Sequence, residues 1–149
     1  MAETDVQEED IEMKTTDDER RKDHIGRGWI GVDLDGTLAH YDTWRGPGHI
    51  GEPIAPMVER VKGWLSEGHE VKIFTARVST KDQDELTTVS GAILQWCYRH
   101  IGRTLDITCV KDYQMIELWD DRAIQVIPNT GISIADELAA ERSARAGAP

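Results

Sequence analysis

The segment WIGVDLDGT, residues 29–37, carries the clearest indication of the fold. Its first four residues are apolar or glycine, which is typical of a strand buried on both faces of a parallel sheet. Two carboxylates, Asp33 and Asp35, follow at once. Buried carboxylates are costly unless they are paired or bind a metal, so the stretch predicts a strand with a functional site at its carboxyl end. The alternative is a simple hairpin turn at Asp35-Gly36.

Further apolar runs and helical spacings continue from this strand along the chain. Strands are predicted at residues 71–74, 107–110 and 116–119, with a short fifth at 124–127, and helices at 56–66, 82–101 and from Ser133 onward. Strands that alternate with helices predict an α/β fold, a three-layer sandwich around a central, mostly parallel sheet. The connections are too short for a large cap domain, so an open site is expected.

The charge of the chain is strongly negative and unevenly distributed. The formal net charge is -11, and residues 1–23 alone hold ten acidic and four basic residues. Residues 1–26 are therefore predicted to be a disordered acidic tail and residues 27–149 a single domain.

Composition also limits the partners and the compartment. No apolar run approaches the length of a membrane span, and the acidic start lacks the features of a secretory signal. Two cysteines, Cys97 and Cys109, do not make a disulfide framework, which favours a cytoplasmic protein. No basic stripe is visible, so duplex nucleic-acid binding is not expected, whereas small phosphorylated ligands remain compatible.

Polar side chains follow the other predicted strands where each strand ends. Asp120 and Asp121 are adjacent carboxylates, which are typical ligands of a hard cation such as Mg²⁺. The alternative is an acidic turn paired with Arg122. Thr75 could donate to a phosphoryl oxygen, and Lys111 could neutralise charge on Asp33 and the phosphoryl group. In isolation they would be a capping threonine and a solvated lysine.

Residues 39–53 form a long loop that could act as a lid over this site. Trp44 or Tyr41 could stack on a nucleobase, with Arg45 near a phosphate, and Arg77 could bind a substrate phosphate bidentately. The alternatives are that the aromatic residues pack the loop onto the domain or into a dimer, and that Arg77 is a surface salt-bridge residue.

The order of these motifs resembles the haloacid dehalogenase-like superfamily of phosphohydrolases. DLDGT is similar to its first motif, FTAR to its second, VKD to its third and WDD to its fourth, over residues 29–128. FTAR and WDDR also look like segments of polynucleotide kinase 3′-phosphatase domains and of small deoxyribonucleotidases. No kinase P-loop accompanies them.

The resemblance implies a role for each matched residue. Asp33 would be the nucleophile and a magnesium ligand, and Asp35 the general acid/base that also gives its backbone carbonyl to the metal. Asp120 would bind magnesium directly, and Asp121 would bind it through water or orient Lys111. Thr75 and Lys111 would hold the phosphoryl oxygens. Thr37 and Arg77 are further candidates for substrate binding.

The function expected from these residues is magnesium-dependent hydrolysis of a phosphomonoester through an aspartyl-phosphate. A nucleotide or a nucleic-acid-end phosphate is the leading substrate class, and a sugar or other metabolite phosphate is the alternative. A hypothesis of another class is a non-catalytic binding or regulatory module that kept the fold. Self-association is left open, because a partner chain could complete an open site.

Overall fold

The structure, a computed structural model, describes residues 17–147 of the chain. Its strands are β1 (Trp29–Val32), β2 (Glu70–Phe74), β3 (Asp106–Thr108) and β4 (Met115–Trp119). Its helices are α1 (Asp17–Lys22), α2 (Ala55–Ser66), α3 (Gln83–Ile101) and α4 (Ile134–Ala146), and a short 3₁₀ helix covers Ala76–Ser79. Within residues 17–147, no helix has the length and apolar character needed to cross a membrane.

The four strands form one parallel sheet in the order β3-β2-β1-β4, with β1 inside it. Val32 of β1 pairs with Ile73 of β2 on one side and with Trp119 of β4 on the other. The predicted α/β class is confirmed, because a central parallel sheet is flanked by helices as in a Rossmann-like three-layer sandwich. The register also places the carboxyl ends of β1, β2 and β4 side by side, where such sheets bind ligands.

The core lies between the sheet and the helices α2 and α3. Every residue of β1 is buried, as the unbroken apolar run predicts. The two helices contribute these buried side chains to the core cluster: Val58, Val61, Trp64, Val89, Ile93, Trp96, Cys97 and Ile101. Asp82 caps α3 by accepting hydrogen bonds from two backbone N–H groups, and Gly102 ends it with a φ of 98°.

The connection from β3 to β4 is unusually short. Residues 109–114 join two parallel strands that stand at opposite edges of the sheet, and they contain no helix. Parallel strands ordinarily need a crossover of about a dozen residues or more. The connection is fastened to β1, because Trp29 donates from its indole Nε1 to Asp112 Oδ1 at 2.9 Å and from its backbone N–H to the Gln114 carbonyl.

The prediction of a fifth strand at residues 124–127 is wrong. Val126 makes an isolated antiparallel bridge with Ser133, and Ile124 is 76% exposed. Asn129 and Gly131 both have positive φ and turn the chain back, so this segment pairs with its own continuation and not with the sheet.

The prediction of a disordered tail through residue 26 is wrong for residues 17–22, which form α1; residues 1–16 lie outside the described residues. Arg21 of α1 is only 3% exposed. Its guanidinium pairs with Glu117 and Asp18 and lies 4.9 Å from the ring centre of Trp64. The acidic composition of this segment gave no sign that one of its few cations would be buried against the sheet.

Candidate active site

Three carboxylates meet at the carboxyl ends of β1 and β4. Asp33 and Asp120 directly follow Val32 and Trp119, which are paired in the sheet, and the Asp33 N–H donates to the Trp119 carbonyl at 2.8 Å. One carboxylate oxygen from each of Asp33, Asp120 and Asp121 lies within 4.8 Å of the others. We call these three residues the carboxylate cluster. Its all-oxygen donor set suits a hard divalent cation such as Mg²⁺.

The turn after Asp33 is shaped to admit the side chain of Asp121. Gly36 has a φ of 91°, and a Cβ atom built there would lie 2.5 Å from Asp121 Oδ2. A larger residue at this position would be both strained and in collision with the carboxylate. Thr37, predicted to bind substrate, lies with its hydroxyl 3.3 Å from Asp33 Oδ2 and from Asp121 Oδ1, and it accepts from the Asp121 N–H. Thr37 therefore links the two carboxylates.

Crowding changes the protonation of Asp33. The pKa of Asp33 is raised to about 7, chiefly by burial and also by a hydrogen bond with Asp121 and by the charges of Asp120 and Asp121. A bound divalent cation would offset this repulsion. The cluster is therefore a place where a cation is favoured electrostatically.

Asp35 does not join the carboxylate cluster with its side chain. Arg77 donates from Nε to Asp35 Oδ2 and from Nη2 to Asp35 Oδ1, both at 2.7 Å, in a bidentate pair. The Arg77 side chain is only 6% exposed and that of Asp35 20%. The predicted metal contact of Asp35 is through its backbone carbonyl and stays a prediction. Arg77, expected to be free for a substrate phosphate, is instead occupied by Asp35.

Arg77 also fastens the loop of residues 39–53. Its Nη1 donates to the His49 carbonyl at 2.8 Å, and its Cζ lies 4.8 Å from the ring centre of Trp44. Trp44 remains 49% exposed and Tyr41 45% exposed. Arg45 is not beside the site's carboxylates; it pairs with Asp42 at 2.7 Å within the exposed part of the loop.

A cavity of about 650 Å³ joins the carboxylate cluster to the aromatic loop. Of the predicted site residues it is lined by Asp33, Asp35, Trp44, Thr75, Arg77, Asp120 and Asp121. Sequence reasoning missed Thr80 and Glu85, which also line the cavity and hydrogen-bond each other at 3.1 Å. Their only signal was position, because the segment that follows the second motif leads directly into the first turn of α3.

Two predicted phosphate contacts occupy different positions. Thr75 is buried beside the cavity, and its hydroxyl accepts a hydrogen bond from the Arg77 N–H at 3.2 Å. Lys111 lies on the short β3–β4 connection and lines a second cavity of about 810 Å³, which also contains Asp120 but not Asp33. The structure thus places Thr75 in the cavity that contains the carboxylate cluster, whereas Lys111 lines the second cavity, and its proposed contact with Asp33 stays a prediction.

Comparison with known proteins gives one structural match to report. A conserved protein from Bacteroides thetaiotaomicron has a solved structure that is 25% identical, with a match covering 82% of this chain and 98% of that chain at a TM-score of 0.45. No family model and no curated protein matches the chain. The case for a function therefore rests on the residues and geometry of the site.

Proposed function

We propose that the protein is a magnesium-dependent phosphomonoester hydrolase that works through an aspartyl-phosphate on Asp33. The observation that carries this proposal is the carboxylate cluster, in which Asp33, Asp120 and Asp121 present oxygens within 4.8 Å of one another at adjacent strand ends. These residues would hold the ion, and Mg²⁺ would supply charge stabilisation to the phosphoryl oxygens.

Asp33, Asp35 and Thr75 would have different roles in the reaction. Asp33 is fixed by the end of a rigid buried strand, so one of its carboxylate oxygens can attack phosphorus as the ester oxygen departs with a proton. Water then attacks the phosphorus of the aspartyl-phosphate, which releases inorganic phosphate and restores the Asp33 carboxylate. Asp35 is the candidate for giving the first proton and accepting the second, as a general acid/base. Thr75, buried at the end of β2, would orient a phosphoryl oxygen.

The order of motifs favours this chemistry over its rivals. Asp-x-Asp-Gly-Thr, a strand-end threonine and Asp-Asp are arranged on a parallel sheet in the manner of haloacid dehalogenase-like phosphatases. A non-catalytic module would have no need to keep three repelling carboxylates together. The non-catalytic module is therefore the hypothesis that an activity assay must exclude.

The substrate class follows from the cavity. A volume of about 650 Å³ suits a ligand of nucleotide size, and Tyr41 and Trp44 offer exposed rings on which a base could stack. A nucleotide or nucleic-acid-end phosphate is thus the proposed substrate class, and a sugar phosphate is the alternative. Localisation in the cytoplasm remains part of this proposal.

The test is hydrolysis of an aryl phosphate, nucleotides, sugar phosphates and 3′- or 5′-phosphorylated oligonucleotides, with Mg²⁺ and with EDTA. We expect magnesium-dependent release of phosphate, and its loss to background in Asp33→Asn, because the covalent route is removed.

Asp35→Asn should lose about 10²–10⁴-fold in rate and accumulate phosphate on Asp33, detectable by mass spectrometry. Asp106→Asn, an exposed carboxylate of β3, is the matched control. Substantial activity in a pure Asp33→Asn preparation would disprove the mechanism.

A further inference from the structure

We propose that Arg77 is a positioning residue that keeps Asp35 and the 39–53 loop in a closed arrangement. Arg77 releases both when an anionic group of the substrate, other than the phosphate to be cleaved, takes the place of Asp35. This inference rests on the proposed function, because it concerns the regulation of the same site. We call the contacts of Arg77 with Asp35, His49 and Trp44 the latch.

The latch is a single side chain that joins two parts of the site. Its two hydrogen bonds to Asp35 are both 2.7 Å long, and its third, to the His49 carbonyl, is 2.8 Å long. The guanidinium also lies 4.8 Å from the ring centre of Trp44. At 6% exposure, Arg77 is held firmly between the turn that follows β1 and the loop.

The latch conflicts with the reaction as long as it is closed. A general acid/base must hydrogen-bond to the atom with which it exchanges a proton. Each Asp35 oxygen already accepts a hydrogen bond from Arg77, and this bidentate pair turns the carboxyl group toward the arginine. We therefore expect Asp35 to act best when Arg77 releases it and pairs with an anionic group of the substrate.

An anion is the group best suited to that exchange. The arginine fork binds phosphate and carboxylate in the same bidentate manner, so a phosphate or carboxylate of the substrate can replace Asp35 directly. Arg77 and the exposed Arg122 are the basic residues that line the first cavity in the described part of the chain. Against them stand five acidic residues: Asp33, Asp35, Glu85, Asp120 and Asp121. Among the residues that line this cavity, a second anionic group can therefore pair with Arg77 or with Arg122.

The first experiment compares two substrates in the presence of Mg²⁺. An aryl phosphate has one phosphate, whereas a nucleoside bisphosphate has a second one for Arg77. We expect the ratio of kcat/KM for the bisphosphate to that for the aryl phosphate to fall by about 10- to 100-fold in Arg77→Ala, the size of one lost charged interaction. Activity on the aryl phosphate should rise, because Asp35 is released. Arg77→Lys, which keeps the charge without the fork, should preserve part of the ratio.

Controls separate the latch from a role in folding. Arg103→Ala removes an exposed arginine beyond α3 and should leave the ratio unchanged. Arg122→Ala tests the other cation of the cavity; if it, and not Arg77→Ala, abolishes the ratio, the anion is bound by Arg122 and the latch is overturned. Equal losses for both substrates in Arg77→Ala and Arg77→Lys would show a merely structural role and overturn it as well.

The second experiment does not depend on turnover. Inorganic phosphate is titrated into the full chain in EDTA at constant ionic strength while tryptophan emission is recorded. Release of Arg77 from the Trp44 ring should change the emission, and the change should be absent in Trp44→Phe and in Arg77→Ala. No Trp44-dependent change in the wild type would overturn the latch.

The two experiments together keep this inference apart from the proposed function. A phosphate response that depends on Arg77, in a protein that hydrolyses neither substrate, would refute the hydrolase and support the latch. Magnesium-dependent hydrolysis with an unchanged ratio and no response would refute the latch and support the hydrolase.

Discussion

At the scale of single residues, the carboxylate cluster gives Asp33 an effect on stability that depends on pH. The pKa of Asp33 is raised from 3.8 to about 7 in the folded protein, chiefly by burial. Below pH 4 both the folded and the unfolded chain hold the proton. Between about pH 4 and 7 the folded chain holds it and the unfolded chain does not, so the free energy of unfolding falls as the pH rises.

We therefore expect the metal-free protein to lose stability from pH 5 to pH 8 relative to Asp33→Asn, which lacks the titrating group. The measurement is urea unfolding of both proteins in EDTA across this range. Excess Mg²⁺ should stabilise the wild type at pH 8 more than the variant, because it binds the ionised cluster. Parallel stability curves for the two proteins would show that Asp33 ionises as an ordinary carboxylate.

Gly36 permits a second residue-scale prediction with a close control. Gly36→Ala places a Cβ atom 2.5 Å from Asp121 Oδ2 at a φ of 91°, so it should displace Asp121 and weaken Mg²⁺ binding. Gly91→Ala, in the exposed middle of α3 with no atom within 4 Å, should raise stability by about 0.5–1 kcal/mol and leave Mg²⁺ binding intact. Calorimetric titration measures the Mg²⁺ affinity of both variants, and urea unfolding measures their stability. Equal affinities would remove Asp121 from the metal site.

The residues of the site differ in how far sequence could predict them. Asp33, Asp120 and Asp121 directly follow apolar runs, so strand pairing alone brings them together. The pairing of Arg77 with Asp35 joins different strand ends through long side chains, and no periodicity reports it. Local spacing predicts where a backbone ends a strand, but not which partner a long side chain takes.

At the scale of elements, α1 is held to the domain by Arg21. The side chain is 3% exposed, pairs with Glu117 and contacts the rings of Trp64 and Trp119. Sequence could not predict this docking, because composition describes a whole segment whereas burial here depends on one side chain. The same limit applies to residues 124–127, whose apolar character does not distinguish a sheet strand from an exposed bridge.

We expect Arg21→Ala to cost about 2–3 kcal/mol in the free energy of unfolding, because it leaves the Glu117 carboxylate without its cationic partner. This is below the cost of breaking a fully buried pair, since Glu117 is 26% exposed. Arg20→Ala is the control: Arg20 pairs with Asp17 on the surface, and its loss should cost under about 1 kcal/mol. Denaturant unfolding compares them, and equal costs would mean that α1 is not docked by Arg21.

At the scale of the whole molecule, stability is distributed unevenly along the chain. β1 is fully buried between two parallel neighbours, whereas α4 contains no buried residue and leaves Leu138 47% exposed. An isolated helix of this length is marginal in water. α4 should therefore open far more readily than the sheet.

Hydrogen exchange read by mass spectrometry tests this contrast. Amides of β1 and β2 should exchange only by global unfolding, and those of α4 many times faster, near the rate of a frayed helix. Protection of α4 equal to that of α3 would show that another surface, such as a second copy of the chain, covers it. Dilution of the sample should then remove the protection.

The position of β1 in the sheet also has a consequence for how the chain folds. β1 pairs with β2 and with β4, and the second partner lies more than 80 residues further along the chain, at Met115–Trp119. Pairing over such a separation is slow, because the loop-closure entropy is lost before the contact forms. Until β4 arrives, a growing or refolding chain exposes one unpaired edge of its most apolar strand, which is a template for association with other chains. The yield of refolding should accordingly fall as the protein concentration rises, at concentrations that leave the folded protein unchanged.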